Sequence, residues 1–181
     1  MGLSFYGDDV VKLFYSDDGL EQKAGELLMR TGQTIACAES CTGGLLTAFL
    51  TDVPGSSAYV LGSVVSYTNE VKMSHLKVQE NTLSQHGAVS QETAIEMAEG
   101  VRGELGADIG IAITGIAGPG GATDTKPLGL VYIAVSYRKN IMVTRNVFDG
   151  RRGQVREQSV KKALKMLIEL LEENAGCKIP N

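Results

Sequence analysis

Residues 34–50 read TIACAESCTGGLLTAFL, and this stretch decides the fold class. Its first part, Thr34–Ala38, is a short apolar run that predicts a buried strand. Its last part places apolar residues on one face of a helix: Leu45, Leu46, Phe49 and Leu50. Residues 39–44, which lie between these two parts, therefore form a junction where a buried strand passes directly into a helix.

The rest of the chain continues this alternation and ends in a strand hairpin before a last helix. The predicted helices are Leu20–Arg30 ended by Gly32, Glu70–Leu76 capped by Asn69, one ending at His86-Gly87, one from the cap Ser90 to Leu105, and Arg152–Glu173. The other predicted strands are 59–68, 108–114, 130–136 and 142–148. This order predicts an α/β fold with a mixed β-sheet flanked by helices on both faces. We expect a single compact domain over residues 20–176, preceded by an acidic N-terminal leader, residues 1–19.

Composition narrows the classes of partner. The 181 residues carry 17 Lys and Arg against 21 Asp and Glu, a net charge of -4. Binding of duplex nucleic acid needs a basic surface, so we expect no nucleic acid partner. The leader lacks a signal peptide pattern and no stretch is long enough to cross a bilayer, which predicts a cytoplasmic protein with no membrane partner. Cys37, Cys41 and Cys177 have no C-x-x-C spacing and are expected to be reduced thiols.

Ser40 is the candidate nucleophile of the junction. A serine at a helix start lies beside unpaired backbone N–H groups and the positive end of the helix dipole, where an oxyanion can develop. Gly43 and Gly44 would let a substrate approach the bare N–H groups from Thr42 onward. An alternative stays open, in which Ser40 or Thr42 is only a helix cap and the glycines permit tight packing.

Cys41 is the neighbouring alternative nucleophile. A thiolate nucleophile usually has a histidine partner, and neither histidine of the chain is well placed in the sequence. His86 is predicted in a last helical turn and His75 in the middle of a helix. Both are expected to serve packing or the surface.

Lys72 is the candidate base, because Ser–Lys pairs recur where a nucleophilic serine lacks a histidine. With Asn69 as cap, Lys72 is the third residue of its helix, where the dipole disfavours an ammonium ion. The dipole supplies about 0.3–1 kcal/mol of the roughly 4–5 kcal/mol that a neutral lysine needs at pH 7, so burial or another cation must supply most of the rest. A turn at Thr68-Asn69 would bring Tyr67 near Lys72, to relay the proton or orient the amine. A core-edge tyrosine with a solvated lysine is the open alternative.

A glycine-rich loop follows the strand 108–114. It begins TGIAGPGG at residues 114–121, and such loops after buried strands often present backbone N–H groups to a nucleotide. The sequence matches neither G-x-G-x-x-G nor a Walker motif, so a structural turn is the alternative. The residues predicted to bind substrate here are Thr114, Gly115, Gly118, Gly120 and Gly121.

Three arginines cluster where the last helix begins. Arg151, Arg152 and Arg156 are expected to form a solvated helix face, apart from a single phosphate contact that we assign to Arg152.

Five motifs together resemble the CinA C-terminal-domain family. They are AESCTGG (38–44), VPGSS (53–57), YTNEVK (67–72), HGAVS (86–90) and TGIAGPGG (114–121), and the resemblance covers about residues 20–171. That family includes nicotinamide-mononucleotide amidases, which hydrolyse the carboxamide of nicotinamide mononucleotide to nicotinate mononucleotide and ammonia. The resemblance implies this activity, in pyridine-nucleotide salvage. The catalytic positions of the family fall on Ser40, Tyr67 and Lys72.

The resemblance also implies a site without metal or other cofactor. The implied substrate-binding residues at the junction are Cys41, Thr42, Gly43 and Gly44. Arg151 stands where the family more often has the acid of a Gly-Asp-Arg sequence. We expect a stand-alone amidase domain that forms a homo-oligomer and binds a small-molecule nucleotide. The alternatives are a catalytically silent nucleotide-binding regulatory module and a competence- or damage-associated binding protein, although the latter predicts a basic surface.

Overall fold

The computed structural model describes residues 19–175, which form six α-helices and five β-strands. In chain order these are α1 (Leu20–Thr31), β1 (Ile35–Glu39), α2 (Leu45–Asp52), β2 (Val60–Val65), α3 (Asn69–Leu76), α4 (Glu80–His86), α5 (Gln91–Leu105), β3 (Ile109–Gly115), β4 (Leu130–Tyr137), β5 (Asn140–Val147) and α6 (Arg152–Ala175). Most of the leader, residues 1–18, and Cys177 lie outside the described residues.

The five strands form one mixed sheet in the order β2-β1-β3-β4-β5. β1 pairs in parallel with β2 and with β3, and β4 pairs antiparallel with β3 and with β5. The parallel strands therefore end at one edge of the sheet, and ligands of open α/β sheets bind at this carboxyl edge. The predicted α/β class and the mixed sheet are confirmed.

One face of the sheet is covered by α1, α2 and α6. Large apolar residues of the strands, among them Ile35, Ile111 and Ile133, pack there against fully buried helix residues such as Leu28 and Leu167. Full burial of each such side chain contributes roughly 1.5–3 kcal/mol. This cluster is the larger of the two cores, and it anchors the helices that flank the serine junction.

The opposite face is covered by α3, α4 and α5, and its fully buried strand residues are small. Ala36, Ala38 and Ala112 point to this side and pack in the core formed with α5. Gly110 is packed even more closely against α5, since a Cβ there would lie 2.1 Å from the carbonyl oxygen of Ala98. Small residues therefore let α5 lie close to the sheet, and helices on both faces are confirmed.

The connection from β2 to α3 differs from the prediction in two details. β2 ends at Val65 rather than at residue 68, because the chain leaves the sheet after Ser66 N donates to the carbonyl oxygen of Glu39 at 2.8 Å. The helix cap is Thr68 rather than Asn69, since the Thr68 side chain accepts from Val71 N. Lys72 is therefore one residue further into its helix than the prediction placed it.

The helix before His86 was predicted only at its last turn. It is α4, whose single buried residue, Leu83, leaves no apolar period to read from the sequence. Across residues 19–175, no helix is long and apolar enough to span a membrane.

Candidate active site

Ser40 is the first residue after β1, at the carboxyl edge of the sheet. Its N–H donates to the carbonyl oxygen of Ile113 on β3 at 3.0 Å, so its backbone is still held by the sheet. The chain then turns sharply into α2 through Gly43 and Gly44, whose φ angles are +60° and +95°. A residue with a side chain rarely adopts these angles, which gives both glycines a conformational role in the turn.

Glu39 fixes the far end of this turn, a role that the sequence analysis missed. Its fully buried carboxylate accepts hydrogen bonds from the N–H groups of Gly44 and Leu46 at 3.0 Å each. It also accepts from the N–H and the hydroxyl of Thr47 at 2.8 and 2.7 Å. The carboxylate therefore occupies the N-terminus of α2, where an anion is stabilised by the helix dipole. Its sequence signal is one acidic residue at the end of an apolar strand that leads into a helix.

The turn leaves fewer backbone donors for an oxyanion than the sequence suggested. The Gly43 N–H donates to the carbonyl oxygen of Ser40 at 3.1 Å, and Gly44 is bound to Glu39. The prediction of these two N–H groups as oxyanion donors is therefore wrong. The N–H groups of Cys41 and Thr42 donate to no other residue among those the structure describes. Thr42 is fully buried, so the N–H group of Cys41 remains the candidate.

Lys72 approaches Ser40 from α3. Its Nζ atom lies 3.2 Å from Ser40 Oγ and donates to the carbonyl oxygen of Ser66 at 2.6 Å. The side chain is only 1% exposed, and burial lowers the pKa of its ammonium group from the ordinary lysine value. None of the ion pairs within residues 19–175 includes Lys72. The structure thus places a buried amine with a lowered pKa against the candidate nucleophile.

Tyr67 lines the same pocket as Ser40 and is 62% exposed. Its hydroxyl accepts from Arg152 Nη2 at 3.1 Å, while Arg152 Nη1 donates to the carbonyl oxygen of Gly118 at 2.9 Å. Arg152 therefore ties Tyr67 to the glycine-rich loop. The Nζ atom of Lys72 donates, within the described residues, to Ser40 and Ser66, so a relay through Tyr67 stays a prediction.

Ser40 opens onto a pocket of about 220 Å³. The pocket is lined by Ser40, Cys41, Tyr67, Gly115, Ile116, Ala117, Gly118, Gly120, Gly121 and Arg152. Most of the predicted site residues thus meet in one place, although they come from four parts of the chain. The predicted substrate-binding residues that do not line it are Thr42, Gly43, Gly44 and Thr114. Thr114 is buried and donates to the carbonyl oxygen of Ala88 at 2.7 Å.

The glycine-rich loop forms much of the wall of the serine pocket. Lys126 Nζ holds its far end by donating to the carbonyl oxygen of His86 at 2.6 Å. Several backbone N–H groups of the loop donate to no residue that the structure describes, namely those of Ala117, Gly118, Gly120 and Gly121. Gly118 and Gly121 have positive φ angles of +83° and +96°. Free N–H groups in such a loop can bind anionic or carbonyl oxygens of a ligand.

Cys41 is a poor nucleophile in this setting. Its side chain is 6% exposed, and burial raises the pKa of the thiol to about 11. Only about one thiol in 10⁴ would then be a thiolate at pH 7. His75 and His86 both lie on the surface. Ser40 is therefore the better supported nucleophile of the two.

The arginines at the start of α6 do not all form a solvated face. Arg156 is half-buried, and its Nη2 atom donates to the carbonyl oxygen of Thr42 at 2.6 Å. Its Nε atom is buried without a partner in the described residues. The prediction of a solvated face is wrong for Arg156, which contacts the turn after the nucleophile.

Fold and site together define an α/β domain in which a buried lysine contacts a pocket-lining serine at the carboxyl edge of a mixed sheet. The chain belongs to the family whose model is the CinA C-terminal domain, which matches residues 17–171. A proposed competence-damage inducible protein of Desulforamulus reducens is 51% identical over 156 residues, which are 86% of this chain and 38% of the relative. A CinA-like protein of Syntrophomonas wolfei is 48% identical over 153 residues, 84% of this chain and 37% of the relative. The chain thus spans less than half the length of these relatives.

Solved structures of the same superfamily share the fold. A competence-damaged protein (CinA) superfamily protein from Klebsiella pneumoniae is 36% identical, with a TM-score of 0.84 over 88% of this chain and 99% of that one. A superfamily protein from Escherichia coli is 30% identical, with a TM-score of 0.80 over 92% of this chain and 99% of that one. The family resemblance predicted from the sequence motifs is confirmed.

Proposed function

We propose that this domain hydrolyses the carboxamide of nicotinamide mononucleotide to nicotinate mononucleotide and ammonia. The observation that carries the proposal is the 3.2 Å contact between Lys72 Nζ and Ser40 Oγ, made by a buried lysine with a lowered pKa. A serine beside a neutral amine is a nucleophile for acyl transfer. The choice of substrate rests on the amidases in the family that the sequence motifs resemble.

In the first step the neutral amine of Lys72 takes the proton of the Ser40 hydroxyl. Ser40 Oγ forms a bond to the carboxamide carbon, and the carbonyl π electrons move to its oxygen. The Cys41 N–H group is the proposed donor to this oxyanion, since Cys41 lines the serine pocket, Thr42 is fully buried, and the later N–H groups of the turn are occupied. Removal of one such donor typically lowers kcat by about 10²–10³-fold.

The tetrahedral intermediate then collapses. The Lys72 ammonium gives its proton to the amide nitrogen, the C–N bond breaks, and ammonia leaves. This regenerates the neutral amine, which takes a proton from water as the water oxygen attacks the acyl ester. The ester C–O bond breaks, and Ser40 regains a proton from Lys72. The acid product loses its remaining proton, which ammonia takes up as ammonium, and is released as the carboxylate. One amine thus acts as base and acid in both halves of the reaction.

The nucleotide part of the substrate can occupy a pocket next to the serine pocket. A second pocket of about 460 Å³ shares Ala117, Gly118 and Arg152 with the serine pocket and is otherwise lined largely by apolar residues such as Leu128 and Phe148. Ligand pockets for small molecules commonly span about 300–1,000 Å³, which the two together reach. We place the phosphate on the free N–H groups of the glycine loop and on the Arg152 guanidinium, a bidentate partner for phosphate.

A crystal of the Ser40→Ala variant soaked with nicotinamide mononucleotide tests this assignment. We expect the carboxamide carbon within about 3.5 Å of the place of the serine hydroxyl, since reacting atoms lie at that distance before attack. The phosphate should contact the glycine loop, and the Arg152→Gln variant should bind more weakly in calorimetry. Density for the nucleotide away from Ser40 and from the loop would refute the proposed mode of binding.

A further inference from the structure

We propose that Arg156 is a positioning residue for the nucleophile and holds the turn behind Ser40 in the geometry needed for attack. The proposal rests on the proposed function, because it concerns the same serine. Arg156 lies on α6, one turn after Arg152, and its Nη2 atom donates to the carbonyl oxygen of Thr42 at 2.6 Å. This bond is the direct hydrogen-bond link from α6 to the serine junction.

The turn needs such a link because its own conformation is pliable. Gly43 and Gly44 give it two positions with wide backbone freedom. Glu39 fixes the end of the turn that enters α2, and the Gly43 N–H closes its start on the Ser40 carbonyl oxygen, but neither contact holds the Thr42 carbonyl. At the Thr42 carbonyl the only other donor among the described residues is the N–H of Leu45, at a long 3.3 Å. The charge-assisted bond from the guanidinium is shorter and stronger, so it is the contact that fixes the middle of the turn.

The burial of Arg156 argues for a role beyond stability. Its Nε atom is buried without an acceptor in residues 19–175, and an unpaired buried donor lowers the stability of the folded state. An aliphatic side chain packed at this place would avoid that penalty. Arg156 is also absent from the lining of the serine pocket, so it acts through the turn rather than on the substrate.

The turn positions the nucleophile Ser40 and the proposed oxyanion donor, the N–H group of Cys41. Ser40 lies two residues before Thr42, and the N–H group of Cys41 lies between the sheet and the point that Arg156 holds. Misplacement of reacting groups by about 1 Å can cost roughly a hundredfold in rate. Loss of the guanidinium should therefore slow the chemical steps while substrate binding stays intact.

The test compares Arg156→Met and Arg156→Lys with the wild type. Arg30→Met is the matched control, since Arg30 lies on the surface of α1 and has no side-chain partner in the described residues. Three quantities are measured: kcat and KM for ammonia release from nicotinamide mononucleotide, the rate at which a fluorophosphonate labels Ser40, and Tm. In the labelling step a bond forms between Ser40 Oγ and phosphorus, the P–F bond breaks, fluoride leaves, and Lys72 takes the serine proton.

We expect Arg156→Met to lower kcat and the labelling rate by roughly ten- to a hundredfold. KM should stay within about threefold of the wild type, Tm should not fall, and Arg156→Lys should recover part of both rates because an ammonium can still donate to Thr42. Unchanged rates, a rise in KM alone, or a loss of rate matched by a fall in Tm would overturn the proposal. If wild type releases no ammonia but is labelled at Ser40, the proposed substrate is wrong, and the labelling rates of the variants still decide the role of Arg156.

Discussion

Replacement of Glu39 by Gln perturbs the hydrogen bonds that hold the serine junction with almost no change of volume. The carboxylate accepts two bonds at each oxygen: from Gly44 and Leu46 at one, and from the N–H and hydroxyl of Thr47 at the other. A glutamine keeps one acceptor oxygen, and its NH₂ group must face the donors at the other position. The Thr47 hydroxyl can rotate to accept, but a backbone N–H cannot. At least one buried N–H group is therefore left without an acceptor.

The loss of stability in Glu39→Gln can be estimated from these contacts. One or two unpaired buried N–H groups cost about 1–3 kcal/mol each. Loss of the negative charge at the N-terminus of α2 adds roughly 0.3–1 kcal/mol. The lower desolvation cost of a neutral amide offsets part of this. We expect Glu39→Gln to lower the free energy of unfolding by about 2–4 kcal/mol, equivalent to a fall in Tm of roughly 4–16 °C for a chain of this size.

Urea unfolding followed by circular dichroism measures this loss. Glu169→Gln is the matched control, because Glu169 lies on the exposed side of α6, and its free energy of unfolding should change by less than about 0.5 kcal/mol. We also expect Glu39→Gln to slow fluorophosphonate labelling of Ser40, since the turn carries the nucleophile. A variant as stable as the wild type would refute the claim that this carboxylate holds the junction.

Three further predictions concern pH, packing and the thiol. Because turnover needs neutral Lys72 and burial lowers its pKa, kcat/KM should rise with pH and level off below lysine's ordinary pKa of about 10.4. The unfolded chain binds the extra proton in that window, so urea midpoints of wild type relative to Lys72→Met should also rise with pH there. On α5, Gly100→Ala should lower the free energy of unfolding by about 1–3 kcal/mol, since a Cβ would lie 1.8 Å from the Leu76 carbonyl oxygen. Gly103→Ala should instead raise it by roughly 0.5–1 kcal/mol, because a Cβ at that position meets open space. Equal effects of the two variants in urea unfolding would contradict the close packing of α3 on α5. Peptide mass spectrometry should find alkylation of Cys41 by iodoacetamide slow at pH 7, faster toward pH 11 and fast after unfolding, and fast alkylation of the native protein at pH 7 would contradict its burial.

Local patterns predicted the elements and the principal pair of the site. The passage from an apolar strand into a helix is visible in the spacing of residues 34–50, and it placed Ser40 at the junction. The choice of Lys72 needed only the absence of a suitable histidine and a helix start nearby. The helix cap was off by one residue because Thr68 and Asn69 are both good caps, and only the hydrogen bond to Val71 decides between them.

Contacts between elements that are distant in the chain could not be predicted from the sequence. Arg156 reaches Thr42 because α6 packs beside α2, and no local period encodes the relative placement of two helices. The same holds for Arg152, which joins Tyr67 to Gly118. Which N–H groups of the serine turn are occupied also depends on where the buried carboxylate of Glu39 points. These features set the geometry of the site, and they can be seen only in the folded structure.

The most direct test of the central claim is ammonia release from nicotinamide mononucleotide at neutral pH. The wild type is compared with Ser40→Ala, Lys72→Met and the double variant, with Ser84→Ala and Lys165→Met as exposed matched controls. We predict release by wild type and both controls, a loss of at least about 10³-fold in each site variant, and no further loss in the double variant, because the two residues act as a unit. Release that persists in Ser40→Ala or Lys72→Met, or no release by a wild type that still binds the nucleotide in calorimetry, would contradict the account.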